Sequence, residues 1–245
     1  MGKVRAVTDG RNFILDDGRE IRLAGIEVPL PPAVGETGAR AAAGLAARAA
    51  LESMLAGQDV ELRQAGAGAD RYGRSLAYVY VVRDGSQHSA AHDMLAQGFA
   101  RVSAHVGNQV GNQAGDRPCA AELLARERLA RDAKLGLWSE PYYAITGAED
   151  GAQLNAERGH FTVVEGKVLS VRESAATIYM NFGRRWSQAL TVTILKRNER
   201  TFAAAGLEPK KLENRRVRVR GWVEDRNGPR IEVTRPEQIE IAERN

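Results

Sequence analysis

Asp70-Arg71-Tyr72-Gly73-Arg74, leading into Ser75-Leu76-Ala77-Tyr78, is the run on which the reading of this chain turns. Tyr72–Val82 has the composition of a strand, so Arg74 falls where that strand begins. Upstream lies a second run, Arg22-Leu23-Ala24-Gly25-Ile26-Glu27-Val28-Pro29, with Arg22 near the end of another strand-like segment. An arginine closing one strand and an arginine opening another can converge on one rim of a barrel. Guanidinium groups hold two phosphate oxygens at once and stay charged at any relevant pH. Arg22 and Arg74 are therefore candidate phosphate contacts, with Asp70 in a position to orient the loop. The competing reading is that both sit in ordinary surface ion pairs.

Working outward, Lys3–Val7, Asn12–Leu15 and Glu20–Ala24 read as strands, with a tight-turn signal at Asp16-Asp17-Gly18. Pro29, Pro31 and Pro32 interrupt any further strand. An Ala-rich helix is expected over Gly38–Leu55, stopped by Gly57. Val60–Arg63 reads as a strand joined to Tyr72–Val82 by a Gly/Ala-rich loop, Ala65–Ala69. Helices are expected over His92–Gln97 and Ala120–Lys134. Between them lies a polar near-repeat, Gly107-Asn108-Gln109 and Gly111-Asn112-Gln113, which reads as loop. Three strands, a helix, two strands and two helices predict a five-stranded OB barrel with added helices.

Five separated motifs then agree in order and spacing: Asp9-Gly10, Arg22-Leu-Ala-Gly-Ile, Asp70-Arg-Tyr-Gly-Arg, Gln97-Gly98-Phe99-Ala100 and Gly136-Leu137-Trp138. Over about residues 3–143 the chain resembles the staphylococcal-nuclease-like (thermonuclease) family. That resemblance implies an OB barrel, a phosphodiester hydrolase and a calcium cofactor. It carries the roles of the two phosphate-binding catalytic arginines onto Arg22 and Arg74.

The departures from the family pattern fall on its chemistry. The family's Asp-Gly-Asp reads Asp9-Gly10-Arg11 here, so a calcium ligand becomes a cation. The other carboxylate ligand becomes Glu27, which keeps only a weak claim on a metal. The residue usually assigned as general base becomes Leu30. Hydroxide supply at neutral pH normally rests on a metal-bound water or a carboxylate base. Loss of a general base alone costs about 10²- to 10⁴-fold. Of the other nearby carboxylates, Asp16 and Asp17 belong to their turn, and nothing in the sequence places Glu36, in the loop after Pro32, to take over the base's role. Arg11 is therefore expected to pair with Glu27, leaving Arg11, Arg22 and Arg74 as a cationic pocket lined also by Asp70 and Tyr72. No cofactor is expected.

The second half repeats the order of elements. Phe161–Val171, Thr177–Phe182 and Leu190–Leu195 read as strands, Arg200–Ala205 as a short helix, and Arg215–Val223 and Arg230–Val233 as strands around an Asn227-Gly228 turn. The expected fold is thus α+β and mainly β: an OB-fold barrel with added helices over residues 1–146, a linker over 147–159, and a smaller OB-like β-barrel over 160–245. From Gly159 onward Lys and Arg outnumber Asp and Glu by 17 to 11, whereas residues 1–158 carry 18 against 20. The basic excess favours an anionic partner for the second unit. Arg184, Arg185 and Trp186, after Phe182-Gly183, combine an aromatic with guanidinium groups as base stacking and phosphate neutralisation require. Trp222 beside the alternating Arg216, Arg218 and Arg220 has the same composition.

Other signals are weaker. Cys119, the one cysteine, excludes an intramolecular disulfide and reads as structural. His88 and His92 are four apart, but Ser89 stands where a zincin needs Glu. Trp138 reads as a core anchor. No apolar run approaches the roughly 20 residues of a membrane span, and the composition suits a soluble globular protein. Met1-Gly2 leads directly into a strand-like run, a start compatible with a removed leader, and no compartment is assigned from it. The leading expectation is a binder of single-stranded nucleic acid or another polyanion whose hydrolytic activity is lost or weakened. Its rivals are an active metal-dependent phosphodiesterase and a protein-interaction scaffold.

Overall fold

Val4, Val7, Phe13, Leu15, Ile21 and Leu23 recur along three short segments, and in the computed structural model all six are buried in one core. The structure describes residues 1–83, 85–103 and 116–242, without the side chains of 66, 67 and 116–119. The near-repeat at 107–113 and the Cys119 side chain lie outside the described residues. The chain divides into two compact units, Met1–Ala144 and Ile145–Asn245.

The first unit contains, in order, β1 (Gly2–Val7), β2 (Asn12–Leu15), β3 (Glu20–Leu23), β4 (Ile26–Glu27), α1 (Ala39–Leu55), β5 (Asp59–Ala69), β6 (Ser75–Arg83), β7 (Ser86–Ser89), α2 (Ala90–Ala96), β8 (Arg101–Val102) and α3 (Asp116–Asp132). β1, β2 and β3 form an antiparallel meander, and β1 pairs antiparallel with β5. β5 pairs antiparallel with β6, which runs parallel to β3 and closes a five-stranded barrel. β7 extends the open side of β6.

The expected loop at Ala65–Ala69 belongs instead to β5, which runs on with a register shift between Gln64 and Ala69. Small residues satisfy a bulged edge as well as a loop, so composition alone does not separate the two. The reversal is left to Asp70–Arg74. His88 lies on β7 and His92 on α2, so the two histidines share no helix face.

The alanines of α1 set how closely loops approach it. A Cβ at Gly44 would meet the Leu30 carbonyl oxygen at 2.4 Å, and one at Gly10 would meet the Ala47 Cβ at 2.8 Å. The small face of α1 thus holds the backbone of both loops that carry the departures from the family pattern.

The second unit contains β9 (Thr146–Gly147), α4 (Gly151–Ala156), β10 (Phe161–Lys167), β11 (Ser170–Ser174), β12 (Thr177–Asn181), β13 (Thr191–Leu195), α5 (Glu199–Ala204), β14 (Arg216–Trp222), β15 (Glu224–Asp225), β16 (Pro229–Glu232) and β17 (Ile239–Ile241). Its two sheets run β17-β14-β10-β9 and β11-β12-β13-β16-β15. The stretch 147–159 is no bare linker. Thr146 pairs with Val164, Ala148 and Leu154 are fully buried, and Asp150 caps α4 by accepting from the Gln153 N–H at 3.0 Å. Two small anchors and one cap suffice to dock a segment that is otherwise polar, so its composition reads as a connector.

The arginines of β14 also differ from a uniformly exposed row. Arg216 is exposed, Arg218 is half-buried and Arg220 is only 1% exposed. Glu165 accepts from Arg216 at 2.8 Å and from Arg218 at 2.7 Å, while Glu240 pairs with Arg220. Trp222 packs edge-on to Phe161. This face is an ion-pair ladder in which Glu165 and Glu240 hold the three arginines. Burial alone would raise the Glu165 carboxyl, but the bonds from Arg216 and Arg218 outweigh it and hold it below its ordinary 4.5.

Two outcomes are expected. Gly44→Ala should lower the melting temperature by a few degrees, because overpacking against backbone (about 1–3 kcal/mol) outweighs the roughly 1 kcal/mol gain in helix propensity. Thermal denaturation checks this. The Glu165 pair, with a depressed folded-state pKa, stabilises fully above pH about 4.5 and loses its contribution as pH falls through the lower folded value. Glu165→Gln should therefore destabilise at pH 7, and its difference from the parent should shrink below pH 4.5 in melting curves across pH.

Candidate phosphate-binding site

Asp70 builds the turn between β5 and β6. Its Oδ1 accepts the Tyr72 N–H at 2.9 Å and the Arg74 N–H at 3.1 Å, and the Gly73 N–H donates to the Asp70 carbonyl at 2.9 Å. Its Oδ2 takes the Arg74 Nε at 2.9 Å and Nη2 at 2.8 Å. One carboxylate therefore fixes both the turn and the arginine that leaves it. The Tyr72 ring is exposed and lies against the Arg71 and Arg74 guanidinium groups, each 4.8 Å from its centre.

Parallel pairing of β3 with β6 sets Arg22 opposite Leu76, two residues beyond Arg74. The Arg22 guanidinium lies 3.9 Å from Asp70 Oδ2 and 4.0 Å from Glu27 Oε1. Glu27 is delivered by the short β4–β8 pairing, in register with Arg101. Its Oε1 accepts the Ser103 hydroxyl at 3.3 Å, and its Oε2 takes the Arg11 guanidinium. Arg22, Glu27, Asp70 and Ser103 line a cavity of about 180 Å³.

Arg11 reaches Glu27 because Asp9 folds the β1–β2 loop. Asp9 Oδ1 accepts the Arg11 N–H at 2.8 Å and the Asn12 N–H at 2.9 Å. This is an Asx turn, and it commits the Asp9 carboxylate to its own loop. Arg11 is 8% exposed, so its guanidinium meets Glu27 with little water between them.

Three guanidinium groups thus share two carboxylates. The imbalance registers at Arg22: burial, then the Arg11 charge, pushes its guanidinium below its ordinary value, with Arg74 adding to the push and Glu27 and Asp70 opposing it. Arginine stays charged under such a push, so the cavity favours an anion. At Asp70, burial works upward, but the hydrogen bonds from Arg74 and the turn win and lower its pKa.

Calcium, the metal implied by the family resemblance, takes about six to eight oxygen ligands, normally with more than one carboxylate. The donors here do not fit it. Glu27 already holds a cation, Asp9 is spent on its own loop, and Asp70 is spent on Arg74. Among the described residues no group of three or more His, Cys, Asp or Glu is gathered as metal ligands. Glu36 accepts the Ala33 N–H at 2.9 Å and pairs with Arg40 at 3.6 Å, so its carboxylate serves its own loop. The Leu30 side chain is exposed and is not among the cavity-lining residues.

Arg184 and Trp186 lie in the second unit on a separate groove, and Arg185 does not line it. Phe182, which precedes that run, is buried in the second core. Trp138 is half-buried between Arg101 and Arg131, whose guanidinium carbons lie 5.3 and 5.6 Å from its ring centre. Leu137 is the buried member of that motif. Ser103 and the β4–β8 pairing escaped sequence reasoning, because a two-residue ladder has no period to detect.

Residues 20–140 match the family described as staphylococcal nuclease homologue. No curated protein matches the chain. The first unit is thus a staphylococcal-nuclease-homologue domain on a closed five-stranded barrel, of a family that implies nucleic-acid binding. The matched span covers Arg22, Glu27, Asp70 and Arg74; Arg11 lies before it.

The Arg11–Glu27 pair is open to a double-mutant cycle. Removing one partner of a buried pair costs about 3–5 kcal/mol. Arg22, 4.0 Å from Glu27, should moderate the Arg11→Met cost to the low end of that range. Arg11→Met with Glu27→Leu should recover much of the loss, giving a non-additive cycle in denaturant unfolding.

Proposed function

We propose that the first unit binds the phosphates of nucleic acid through Arg22 and Arg74 and has lost efficient phosphodiester hydrolysis. The Arg11–Glu27 ion pair carries this reading. It neutralises the carboxylate that would hold a metal, while Arg22 and Arg74 keep the cationic character a phosphodiester needs. A bound phosphate oxygen would face Arg22, and Arg74 would act from its seat on Asp70.

An active phosphodiesterase would need a second carboxylate as base, and Asp70 is the one beside Arg22. Its lowered pKa makes it a weak base near neutral pH, and proton transfer to it would break its bonds to Arg74. The binding reading is therefore preferred.

Incubation with single-stranded DNA and RNA in calcium, magnesium or manganese tests the proposal, alongside binding across a salt series. Salt-sensitive binding without cleavage is expected, with Arg22→Ala and Arg74→Ala each reducing the salt slope by about one. Metal-dependent cleavage abolished by Arg74→Ala would overturn the loss of hydrolysis. Absence of binding at low salt would favour a protein scaffold.

A further inference from the structure

We propose that the second unit carries its own binding groove for single-stranded nucleic acid, on the outer face of β11, β12, β13 and β16. Alternation along these strands sends Ile178, Met180, Val192, Ile194 and Ile231 into the core. The opposite set faces a groove of about 870 Å³, a volume within the usual range of ligand sites. Cross-strand register assembles that set into two rows. Arg172 stands opposite Tyr179, while Ser170, Asn181, Thr191 and Arg230 follow one another across the four strands.

Two loops form the rim. The β12–β13 loop supplies Arg184 and Trp186, and the β15–β16 loop supplies Arg226. The loops are seated on each other: a Cβ at Gly228 would meet the Trp186 carbonyl oxygen at 2.4 Å. Trp186 is nevertheless 56% exposed, so its backbone is held while its indole stays open to a ligand.

Charge and chemistry select the occupant. Arg172, Arg184, Arg226 and Arg230 line the groove with one carboxylate, Glu173. Glu173 is already matched by Lys196 at 2.7 Å and Lys210 at 2.8 Å, and those bonds lower its pKa to about 2. Arg226 and Arg230 share Glu224, at 3.7 and 3.2 Å. Among the described residues Arg172 and Arg184 have no carboxylate within 4 Å. The buried Arg230 Nε has no acceptor. An acidic peptide would satisfy the arginines but would leave the indole idle. A single strand supplies both complements, phosphates for the guanidinium groups and unpaired bases for Trp186 and Tyr179. Asn181 and Thr191 add neutral hydrogen-bonding groups along the row.

This site is independent of Arg22 and Arg74, so the test uses the full chain carrying Arg22→Ala and Arg74→Ala, with a fluorescein-labelled oligothymidylate as probe. Residual salt-sensitive binding is expected. Trp186→Ala should weaken it about tenfold or more, and Trp186→Phe should retain most of it. Arg172→Ala with Arg184→Ala should weaken it further and flatten its salt slope. Binding should quench tryptophan fluorescence in the parent more than in Trp186→Phe. Absence of residual binding overturns the groove while leaving the first-unit reading intact. Unchanged affinity in both Trp186→Ala and the Arg172/Arg184 variant, or equal competition by duplex DNA or polyglutamate, overturns the single-strand assignment. Trp186 is exposed, so its variants keep the test valid if the arginine pair proves necessary for folding.

Discussion

The parallel pairing of β3 with β6 is the constraint from which the first unit's site follows. It closes the barrel and, by register alone, sets the end of one strand beside the beginning of another. Arg22 and Arg74 are far apart in sequence and make no direct bond. They meet because both reach toward Asp70, at 3.9 and 2.8 Å. Asp70 in turn is positioned by the turn it organises. Barrel closure sets where the two arginines stand, and the Asp70 turn sets how they point.

Part of this pairing scheme recurs in the second unit, whose strands lie in two separate sheets. β11, β12 and β13 form a meander, β13 runs parallel to β16, and β10 pairs antiparallel with β14. β10 and β11 together take the place that β1 holds in the first unit. The two units use the scheme differently. The first concentrates guanidinium groups in a small cavity at a strand end, whereas the second spreads them over a broad strand face and its rim. A small charged cavity suits a single phosphate, and a broad face with an exposed indole suits successive nucleotides.

Much of this was legible because period-2 alternation and turn chemistry are local. The barrel strands, α1 and the Asn227-Gly228 turn follow from side chains within a few residues of each other. Arg22, Arg74 and Asp70 were legible through motif order, and the Arg11–Glu27 pairing through a charge reversal at a recognisable position. What escaped depends on distant partners. Glu165 and Glu240 pair with the β14 arginines from neighbouring strands, and Lys196 and Lys210 pair with Glu173 from other segments. Nor does sequence separate Phe182 from Trp186. One completes an inward-facing strand and the other follows three residues of loop, so the same aromatic-arginine run splits between core and surface.

Charge reversal at residue 11 changes more than one ligand. A carboxylate there would leave Glu27 with a like-charged neighbour, a strained arrangement that a divalent cation relieves. A guanidinium relieves it permanently, with hydrogen bonds in fixed geometry and no exchange with solvent. An arginine there also adds to the positive charge felt by Arg22, which strengthens attraction for an anion. On the proposed reading, a single side chain would drive phosphate affinity and hydrolytic competence in opposite directions.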